Sequence, residues 1–366
     1  MNTLHVDLGK QWRGGQSQAL LLIQGLLARG HSAELLTRRE SPLAQRAHRL
    51  GIKVHSVPGP AARLRAALRL RKLLAEGKFD ILHLHDAHAV TPAWLARAER
   101  FTSVVASRRV AYPLQTELFA LARYQTAHRI LAVSEFVAKS VVASGMPRER
   151  VQVVYDGVEL KPLPAPEIRR SARDRWGITD DEMLLGCVGY LLPEKGQEFL
   201  IRALPAVRAR FPRCRLLLAG IGPQRGRFER LVREMGIESA VIFTGFVEDV
   251  AQVYSALDVF VFPSLAEPLG SSLLAAMAFA LPIVAVARGA VPEVIEDGAT
   301  GLLVPDPDPQ QIAAAILRLL VDTKWAARLG VAARAAVQDR FSADHMVEQT
   351  LQVYQQVRCR AGRSLP

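Results

Sequence analysis

The sequence predicts an α/β fold with two doubly wound, Rossmann-like domains, and three observations support this prediction. Thirteen short apolar runs alternate with segments of helical period along the 366 residues, which is the pattern of βαβ units and parallel sheets. The chain is also longer than one hydrophobic core usually supports. Finally, the proline-rich stretch "ELKPLPAPEIRR" (159–170) divides the runs into two series, because closely spaced prolines disfavour a helix or a central strand.

The apolar runs give the predicted strands in order. Seven precede the proline-rich stretch, at 3–8, 32–37, 53–57, 80–85, 103–107, 129–134 and 151–154. Six follow it, at 183–191, 214–220, 240–245, 258–264, 282–287 and 301–305. Helices are predicted between the strands and from about residue 308 onward, ending in an amphipathic helix at 341–357. Ligands of such sheets bind beyond the carboxyl ends of the strands, so we expect the functional residues in the loops after these runs.

The domain boundaries follow from the two series. We expect an N-terminal domain at 1–160, a linker at 161–172 and a C-terminal domain at 173–340. The remaining segment, 341–366, is expected to pack back toward the N-terminal domain.

Composition indicates a protein of a reducing compartment. The three cysteines, Cys187, Cys214 and Cys359, are odd in number and have no zinc-binding spacing, so neither a disulfide framework nor a metal is implied. The start "MNTLHVDLGKQW" has no signal-peptide pattern, and no window reaches the ~18 uninterrupted apolar residues of a membrane span. We therefore expect a cytoplasmic protein.

The positive charge is concentrated in the N-terminal half. The formal net charge is +12, and residues 1–160 hold 23 Lys and Arg against 12 Asp and Glu. The stretch 61–80 has helical period, with Leu64, Leu68, Leu70 and Leu74 on one broad face and Arg65, Arg69 and Lys72 on the other. This favours a packed surface helix; attachment to an anionic membrane, on the inner face of the cytoplasmic membrane, is the alternative. Nucleic-acid binding is not expected, because aromatic stacking residues are absent.

Two glycine-containing loops follow predicted strands. Gly220-x-Gly222 resembles a dinucleotide fingerprint, but Pro223 follows and the third glycine, Gly226, falls one position late. A tight turn and a nucleotide-facing loop of another kind fit better than NAD binding. Gly14 and Gly15 open a helix after the first strand, where a simple turn and an anion site at the helix amino end are both consistent with the sequence.

A second pair of loops carries charge. Lys195 lies between a strand and a helix, and Glu267 precedes Gly270-Ser271-Ser272 at another helix start. Free helix amides can bind an anion, while a carboxylate just outside them can accept hydrogen bonds from hydroxyl groups. A solvated lysine, a solvated glutamate and helix-capping serines are the alternatives.

Histidines alternate at the end of one predicted strand. In "HLHDAH", His83, His85 and His88 could form a metal site only with Asp86. Histidines of this kind commonly line a cleft without ligating a metal, so no metal site is predicted.

Together these segments resemble the retaining glycosyltransferases of family 4, which have the GT-B fold, and the resemblance covers almost the whole chain. It rests on Gly14-Gly15 with "GLLARGH" (25–31) and on "FDILHLHD" (79–86), "AVSEFVAKSV" (132–141), "VQVVYDGVEL" (151–160), "GYLLPEKG" (189–196), "LAGIGP" (218–223), "FTGFVEDV" (243–250), "DVFVFPSLAEPLGSSLLAAMA" (258–278) and "VPEVIEDGATGLLVPDPDP" (291–309). Their order and spacing are specific.

The resemblance implies a nucleoside-diphosphate-sugar donor held mainly by the C-terminal domain and a glycan or lipid-linked acceptor held mainly by the N-terminal domain. Transfer would occur in the cleft without a required metal, in lipopolysaccharide or cell-surface polysaccharide assembly. Lys195 would meet the diphosphate, and Glu267, the first acid of an E-x7-E motif, would contact the donor sugar. The other expected donor-binding residues are Gly14, Gly15, Gly189, Tyr190, Gly222, Phe246, Gly270, Ser271, Ser272, Leu273 and Ala275. We expect front-face transfer, in which the departing phosphate accepts the proton of the acceptor.

Three positions depart from the family pattern. Ala275 stands where the second acid would bind the ribose, Tyr190 where an arginine usually joins Lys195, and Arg109 where a histidine often lies near the reacting centre. We hypothesise that Arg109, with Arg108, supplies the positive charge lost at Tyr190, so Arg109 is included with Lys195 and Glu267 as catalytic. A catalytically silent homologue that only binds a sugar or nucleotide, a sugar-nucleotide epimerase and a dehydrogenase are the alternatives.

Overall fold

The computed structural model describes residues 1–59, 61–114 and 118–361, with side chains omitted at 118–120 and 359–361. The chain forms two units. One contains Met1–Gly157 and the segment from Ser342 onward, and the other contains Val158–Phe341. Both are parallel α/β units, which confirms the predicted fold class. Cys187 and Cys214 are buried free thiols, while the thiol of Cys359 and residues 362–366 lie outside the described residues.

The N-terminal unit has a seven-stranded parallel sheet of order β3-β2-β1-β4-β5-β6-β7. Its strands are β1 (Asn2–Asp7), β2 (Ser32–Arg38), β3 (Lys53–Val57), β4 (Ile81–Leu84), β5 (Ser103–Arg108), β6 (Arg129–Ala132) and β7 (Val151–Val153). Its helices are α1 (Gly14–Ala28), α2 (Pro42–Arg49), α3 (Ala62–Glu76), α4 (Ala87–Ala96), α5 (Leu118–Tyr124), α6 (Glu135–Ala143) and, at the C-terminus, α15 (Ala343–Ala361). Strands β4 and β5 are buried throughout, as the continuous apolar runs predict.

The C-terminal unit has a six-stranded parallel sheet of order β10-β9-β8-β11-β12-β13. Its strands are β8 (Met183–Val188), β9 (Cys214–Ala219), β10 (Val241–Gly245), β11 (Val259–Phe262), β12 (Ile283–Val286) and β13 (Leu302–Val304). Its helices are α7 (Pro166–Asp174), α8 (Gln197–Arg210), α9 (Arg225–Glu234), α10 (Ala251–Ala256), α11 (Ser271–Ala278), α12 (Val291–Val294), α13 (Pro309–Val321) and α14 (Thr323–Arg340). Within the described part of the chain, no helix is both long and apolar enough to cross a bilayer.

Each sheet reverses its strand order once, and the reversal positions the candidate functional loops. The central pair is β1 with β4 in the N-terminal unit and β8 with β11 in the C-terminal unit. Loops leaving such a pair turn to opposite sides of the sheet and open a crevice at its carboxyl edge, where doubly wound sheets bind ligands. The residues just after these four strands are therefore the first candidates for function.

The stretch predicted as a linker, 161–172, is partly helical, which corrects that prediction. Helix α7 begins at Pro166, where proline fits because the first helical residue needs no hydrogen-bonded N–H. Arg169 and Arg173 donate hydrogen bonds to Asp258 over 2.6 and 3.1 Å, and Asp258 also accepts from the Leu184 amide over 2.7 Å. These bonds attach helix α7 to the C-terminal sheet at the amino-terminal ends of its central strands, β8 and β11.

Helix α3 does not have the single leucine face that its sequence suggests. Leu70 and Leu74 are buried against the sheet, but Leu64 and Leu68 are 58% and 65% exposed. These two leucines are therefore exposed together with Arg65, Arg69 and Lys72, which are among the exposed cations of the helix.

The terminal helix α15 completes the core of the N-terminal unit. Val347 and Tyr354 are buried there, and a Cβ added to Gly25 of α1 would lie 2.4 Å from a Val347 methyl group, so glycine permits the close packing. The chain enters and leaves the C-terminal unit at adjacent points, because the Val158 amide donates to the Phe341 carbonyl over 2.9 Å.

Candidate functional site

The candidate site of the C-terminal unit lies in the loops that follow β8 and β11. The Lys195 ammonium donates a hydrogen bond to Glu267 Oε2 over 2.6 Å, and the Ser264 hydroxyl donates to the same oxygen over 3.0 Å. Glu267 is only 5% exposed, whereas the Lys195 side chain is 26% exposed. A buried carboxylate requires a compensating cation. The two residues singled out separately in the sequence thus form one ion pair.

Close backbone packing holds the two loops together. A Cβ added to Gly196, whose φ is +68°, would lie 2.0 Å from the Pro263 carbonyl oxygen, so only glycine fits at this crossing. The Leu265 amide donates to the Glu194 carbonyl over 2.8 Å. Gly289 likewise has φ +61° and packs against the backbone of Glu267. These contacts fix the ion pair through the backbone on both sides.

Helix α11 begins shortly after Glu267 in the sequence. Its N-cap is Gly270 with φ +105°, which provides no side-chain hydrogen bond to the helix amides. Ser271 and Ser272 are the first helical residues, so the alternative in which these serines cap the helix is wrong. Amides of a first turn have no partner within the helix and bear partial positive charge. Ala275, one turn after Ser271, lies on the same partly exposed side of α11.

The remaining predicted residues of this unit have different environments. A Cβ added to Gly189 meets no atom within 4 Å, whereas one added to Gly222 would lie 2.3 Å from the Leu191 carbonyl oxygen. The close approach of the Leu191 backbone therefore explains why position 222 is a glycine. Phe246 is 57% exposed, and Leu273 is fully buried. The Leu273 side chain thus belongs to the core, and only its amide could meet a ligand.

Tyr190 lies in the loop after β8, where the sequence resemblance leads us to expect an arginine. Its carbonyl oxygen accepts a hydrogen bond from Gln197 Nε2 over 3.2 Å. Gln197 is 1% exposed, so this bond ties the Tyr190 backbone to the first turn of α8. The backbone of Tyr190 is therefore held in place by α8, the helix that follows Lys195.

In the N-terminal unit, Gly14 and Gly15 begin α1 close to the carboxyl end of β1. A Cβ added to Gly15 would meet nothing within 4 Å, so packing inside this unit does not require a glycine. Gln16 follows, and its side-chain amide donates to both oxygens of Asp7 over 3.1 and 3.0 Å. Phosphate binding at Gly14 and Gly15 stays a prediction.

Two carboxyl groups lie at the carboxyl edge of the N-terminal sheet, on the central strand pair. Asp7 ends β1, and Asp86 follows β4 and caps α4 by accepting from the Ala89 amide over 2.9 Å. Burial and the nearby Asp7 raise the pKa of Asp86 to about 8. Burial also raises the pKa of Asp7, although hydrogen bonds from Gly9 and Gln16 oppose this shift. The pair therefore favours retention of a proton at neutral pH.

Three histidines form a buried cluster, but not the three that the sequence places together. His5 of β1 joins His83 and His85, whereas His88 accepts a hydrogen bond from Arg63 over 2.7 Å. His83 bonds to Tyr354 and Ser107, and His5 bonds to Thr3 and His85. Sequence reasoning missed His5 because a lone histidine in an apolar strand carries no motif.

Arg109 lies immediately after β5 and is bound on two sides. Its Nε donates to Asp156 Oδ1 over 2.7 Å, and Nη1 lies 3.4 Å from His85 Nδ1. Arg108 does not share this environment. It is 4% exposed and donates to the Tyr124 hydroxyl and to the carbonyls of Tyr112 and Pro113. The hypothesis that Arg108 supplies charge to a phosphate is therefore wrong, because its guanidinium is sealed into the fold.

The C-terminal unit thus combines a cation, a carboxylate and the first-turn amides of α11, which have no partner within the helix. An ammonium has three N–H donors, and only one is given to Glu267. The carboxylate oxygen Oε1 of Glu267 has no hydrogen bond from any residue that the structure describes. Such a set can bind an anion and orient hydroxyl groups at the same time.

Comparison with known proteins gives two family matches that together span most of the chain. Residues 12–161 match the model described as Glycosyltransferase Family 4. Residues 182–322 match the model described as Glycosyl transferases group 1.

Individual relatives agree with these matches. D-inositol 3-phosphate glycosyltransferase of Stackebrandtia nassauensis is 30% identical over 93% of this chain and 86% of its own. A GDP-mannose-dependent alpha-(1-6)-phosphatidylinositol monomannoside mannosyltransferase of Mycolicibacterium smegmatis is 33% identical, but the match spans only 55% of each chain. The solved structure of Anabaena HepE with UDP and glucose has a TM-score of 0.86 at 21% identity, covering 97% of this chain and 99% of that one, and shows the same fold.

The ion pair predicts a specific stability pattern. Lys195→Met leaves the Glu267 carboxylate buried without its cation and should destabilise the protein by about 1–3 kcal/mol. The double variant Lys195→Met with Glu267→Gln should recover part of that loss, giving a coupling energy of ~0.5–3 kcal/mol in a double-mutant cycle measured by denaturant unfolding.

The exposed pair Arg225 and Glu229, joined over 2.7 Å in the same unit, is the matched control. Its cycle (Arg225→Met, Glu229→Gln) should give less than about 0.5 kcal/mol. Equal coupling in the two cycles would contradict the assignment of Lys195 and Glu267 as a buried pair.

The raised pKa of Asp86 predicts a pH-dependent stability. The carboxyl group binds its proton more tightly in the folded than in the unfolded protein, so its contribution is full below about pH 4 and is lost as the pH rises to about 8. Asp86→Asn keeps a capping side chain and carries no charge. Its melting temperature should exceed that of the wild type near pH 8, and the gap should narrow toward about pH 5. A gap that does not change with pH, measured by scanning fluorimetry, would refute the assignment.

Proposed function

Because this chain belongs to glycosyltransferase family 4, we propose that it transfers a sugar from a nucleoside-diphosphate-sugar to a glycan or lipid-linked acceptor, with retention of configuration. The observation that carries the proposal is the Lys195–Glu267 ion pair next to the uncapped start of α11. One partner can bind the diphosphate and the other can hold sugar hydroxyls. The UDP and glucose in the HepE structure and the GDP-mannose in the name of the mycobacterial relative support a nucleotide sugar as donor.

The ion pair and the helix start suit the charge changes of sugar transfer. Negative charge grows on the diphosphate as its bond to the sugar breaks, so Lys195 and the amides of 271–273 stabilise the transition state more than the ground state. This cationic set supports a transfer that requires no metal. Glu267 is proposed to orient sugar hydroxyls through Oε1, while Lys195 holds Oε2.

The absence of a second carboxylate on α11 beside Glu267 supports a front-face reaction. Ala275 occupies the position of the second family acid, so α11 offers no carboxylate that could act together with Glu267. In our proposal the departing phosphate takes the proton from the acceptor hydroxyl, and Glu267 attacks nothing. We place Arg109 in the N-terminal unit as a further cation for the reaction.

The outward face of α3 supports an acceptor at a membrane. Leu64 and Leu68 are exposed beside the cations Arg65, Arg69 and Lys72, and such a face can lie on an anionic lipid surface. The phosphatidylinositol mannoside in the name of the mycobacterial relative is a lipid-linked acceptor. We therefore propose peripheral attachment to the inner face of the cytoplasmic membrane and a role in lipopolysaccharide or other cell-surface polysaccharide assembly.

The proposed activity is tested by a donor screen. UDP-glucose, GDP-mannose and ADP-glucose are compared by thermal shift, and the one that stabilises the protein most is then assayed for release of nucleoside diphosphate. Lys195→Met should abolish most of this release, by about 10²- to 10³-fold. Stabilisation without any release would favour the catalytically silent homologue, and a converted nucleotide sugar would indicate an epimerase.

Restoring the second acid should strengthen donor binding. Ala275→Glu places a carboxylate on the same side of α11 as Ser271, where it can accept hydrogen bonds from ribose hydroxyls. We expect the dissociation constant of the selected donor to fall by up to about 10-fold by calorimetry. Ala275→Gln should gain less, because charged acceptors make the stronger hydrogen bonds. Unchanged or weaker binding by Ala275→Glu would show that the ribose is held differently here.

Membrane attachment through α3 gives a further prediction. Leu64→Glu with Leu68→Glu should reduce sedimentation with phosphatidylcholine vesicles that contain phosphatidylglycerol, because apolar area is lost and negative charge is added. Val321→Glu with Val331→Glu changes two valines of similar exposure in the C-terminal unit, 64% and 65%, and should not reduce it. Attachment through α3 would be refuted if the two double variants reduced sedimentation equally. It would also be refuted if the protein sedimented only with vesicles of pure phosphatidylcholine.

A further inference from the structure

The buried hydrogen bonds that end at Arg109 run in one direction. A guanidinium only donates, so His85 Nδ1, 3.4 Å from Arg109 Nη1, must accept. His85 then carries its hydrogen on Nε2, which lies 2.9 Å from His5 Nδ1. The protonation form of each imidazole is thus set by its neighbour nearer to the arginine.

The chain of hydrogen bonds ends on the backbone of β2. His5 carries its hydrogen on Nε2 and donates to Thr3 Oγ1 over 3.0 Å, and the Thr3 hydroxyl donates to the Ser32 carbonyl over 3.0 Å. Each nitrogen is used once, as donor or as acceptor. An additional proton on either imidazole would set two donors against each other.

The surroundings of the two imidazoles keep them neutral. His5 is fully buried and His85 is 3% exposed. Burial lowers the pKa of His5 to about 3, and burial with the neighbouring His83, His5 and Arg109 lowers that of His85 well below its ordinary value. Arg109 therefore remains the cation of this network, with Asp156 on its Nε.

We propose that His85, supported by His5, is a positioning residue for Arg109, holding the guanidinium in one orientation at the carboxyl end of β5. Asp156 and His85 contact different nitrogens of the guanidinium, so together they fix its plane. A neutral acceptor does this without cancelling the charge, which a second carboxylate would do. A preoriented cation needs no reorganisation when charge develops. This inference rests on the proposed role of Arg109 in sugar transfer.

Two amide substitutions separate positioning from packing. In His85→Asn the side-chain oxygen can take the place of Nδ1 and still accept from Arg109. In His85→Gln the amide reaches the place of Nε2 and leaves no acceptor at Nδ1. With the donor selected from UDP-glucose, GDP-mannose and ADP-glucose, we expect His85→Gln to lower kcat for nucleoside diphosphate release about 10- to 100-fold with little change in KM. His85→Asn should retain kcat within about 3-fold.

His83 provides the matched control. It is fully buried, its ring stacks on that of His85 with centroids 4.1 Å apart, and both its nitrogens are hydrogen-bonded to Tyr354 and Ser107. His83→Gln should lower the melting temperature about as much as His85→Gln but leave kcat within about 3-fold. Equal losses of kcat in His83→Gln and His85→Gln, or in His85→Asn and His85→Gln, would overturn the proposal.

Failure of the proposed function is distinguished by a measurement that needs no substrate. Nitrogen-15 NMR of the histidine-labelled full chain should show His5 and His85 as neutral imidazoles with hydrogen on Nε2, and Arg109→Ala should shift the Nδ1 signal of His85. Hydrogen on Nδ1, or a charged ring, would overturn the network itself. If the NMR result is as expected while Arg109→Ala retains full activity, the positioning geometry stands and the catalytic role of Arg109 fails.

Discussion

The burial of Glu267 is the constraint on which the candidate site of the C-terminal unit depends. A carboxylate that is 5% exposed is stable only with a cation and hydrogen-bond donors in place. Lys195 and Ser264 supply them, but Lys195 belongs to a loop 72 residues away. Glycine at 196 lets that loop cross the Pro263 carbonyl, and glycine at 289 supports the backbone of Glu267 from the other side. The contacts between the loops that follow β8 and β11 therefore meet one electrostatic requirement.

The N-terminal unit also buries polar side chains, and its cation, Arg109, is less exposed than Lys195. Its central strands place polar side chains inside a sheet that is covered on both faces, and each needs a partner there. Thr3, His5 and His85 bond to one another, and this chain of partners reaches Arg109. His83 bonds separately to Ser107 and Tyr354. Tyr354 belongs to α15, the helix that covers the apolar core, so core packing and the hydrogen bonds of His83 depend on a common element.

Much of the fold could be predicted from the sequence, because buried parallel strands read as apolar runs. The strands come within a few residues of the predicted ranges, and Lys195, Glu267 and Ser271 lie in the predicted loops and helix start. Contacts across long separations could not be predicted. The Lys195–Glu267 pair and the inclusion of His5 depend on which strands become neighbours. Helix α7 was missed because proline disfavours a helix interior yet suits a first turn, and the outward Leu64 was missed because periodicity alone does not give the buried side of a helix.

The hydrogen bond between Val158 and Phe341 has a consequence for synthesis of the protein on the ribosome. It joins the two ends of the C-terminal unit, so this unit is a continuous insertion whose termini already meet. The N-terminal unit is discontinuous, since α1 is covered by Val347 and the interior holds Tyr354 from the last helix. Domains fold as units as they emerge during translation. The unit whose strands are made first is therefore completed after the C-terminal unit, and its core stays incomplete until α15 has been synthesised.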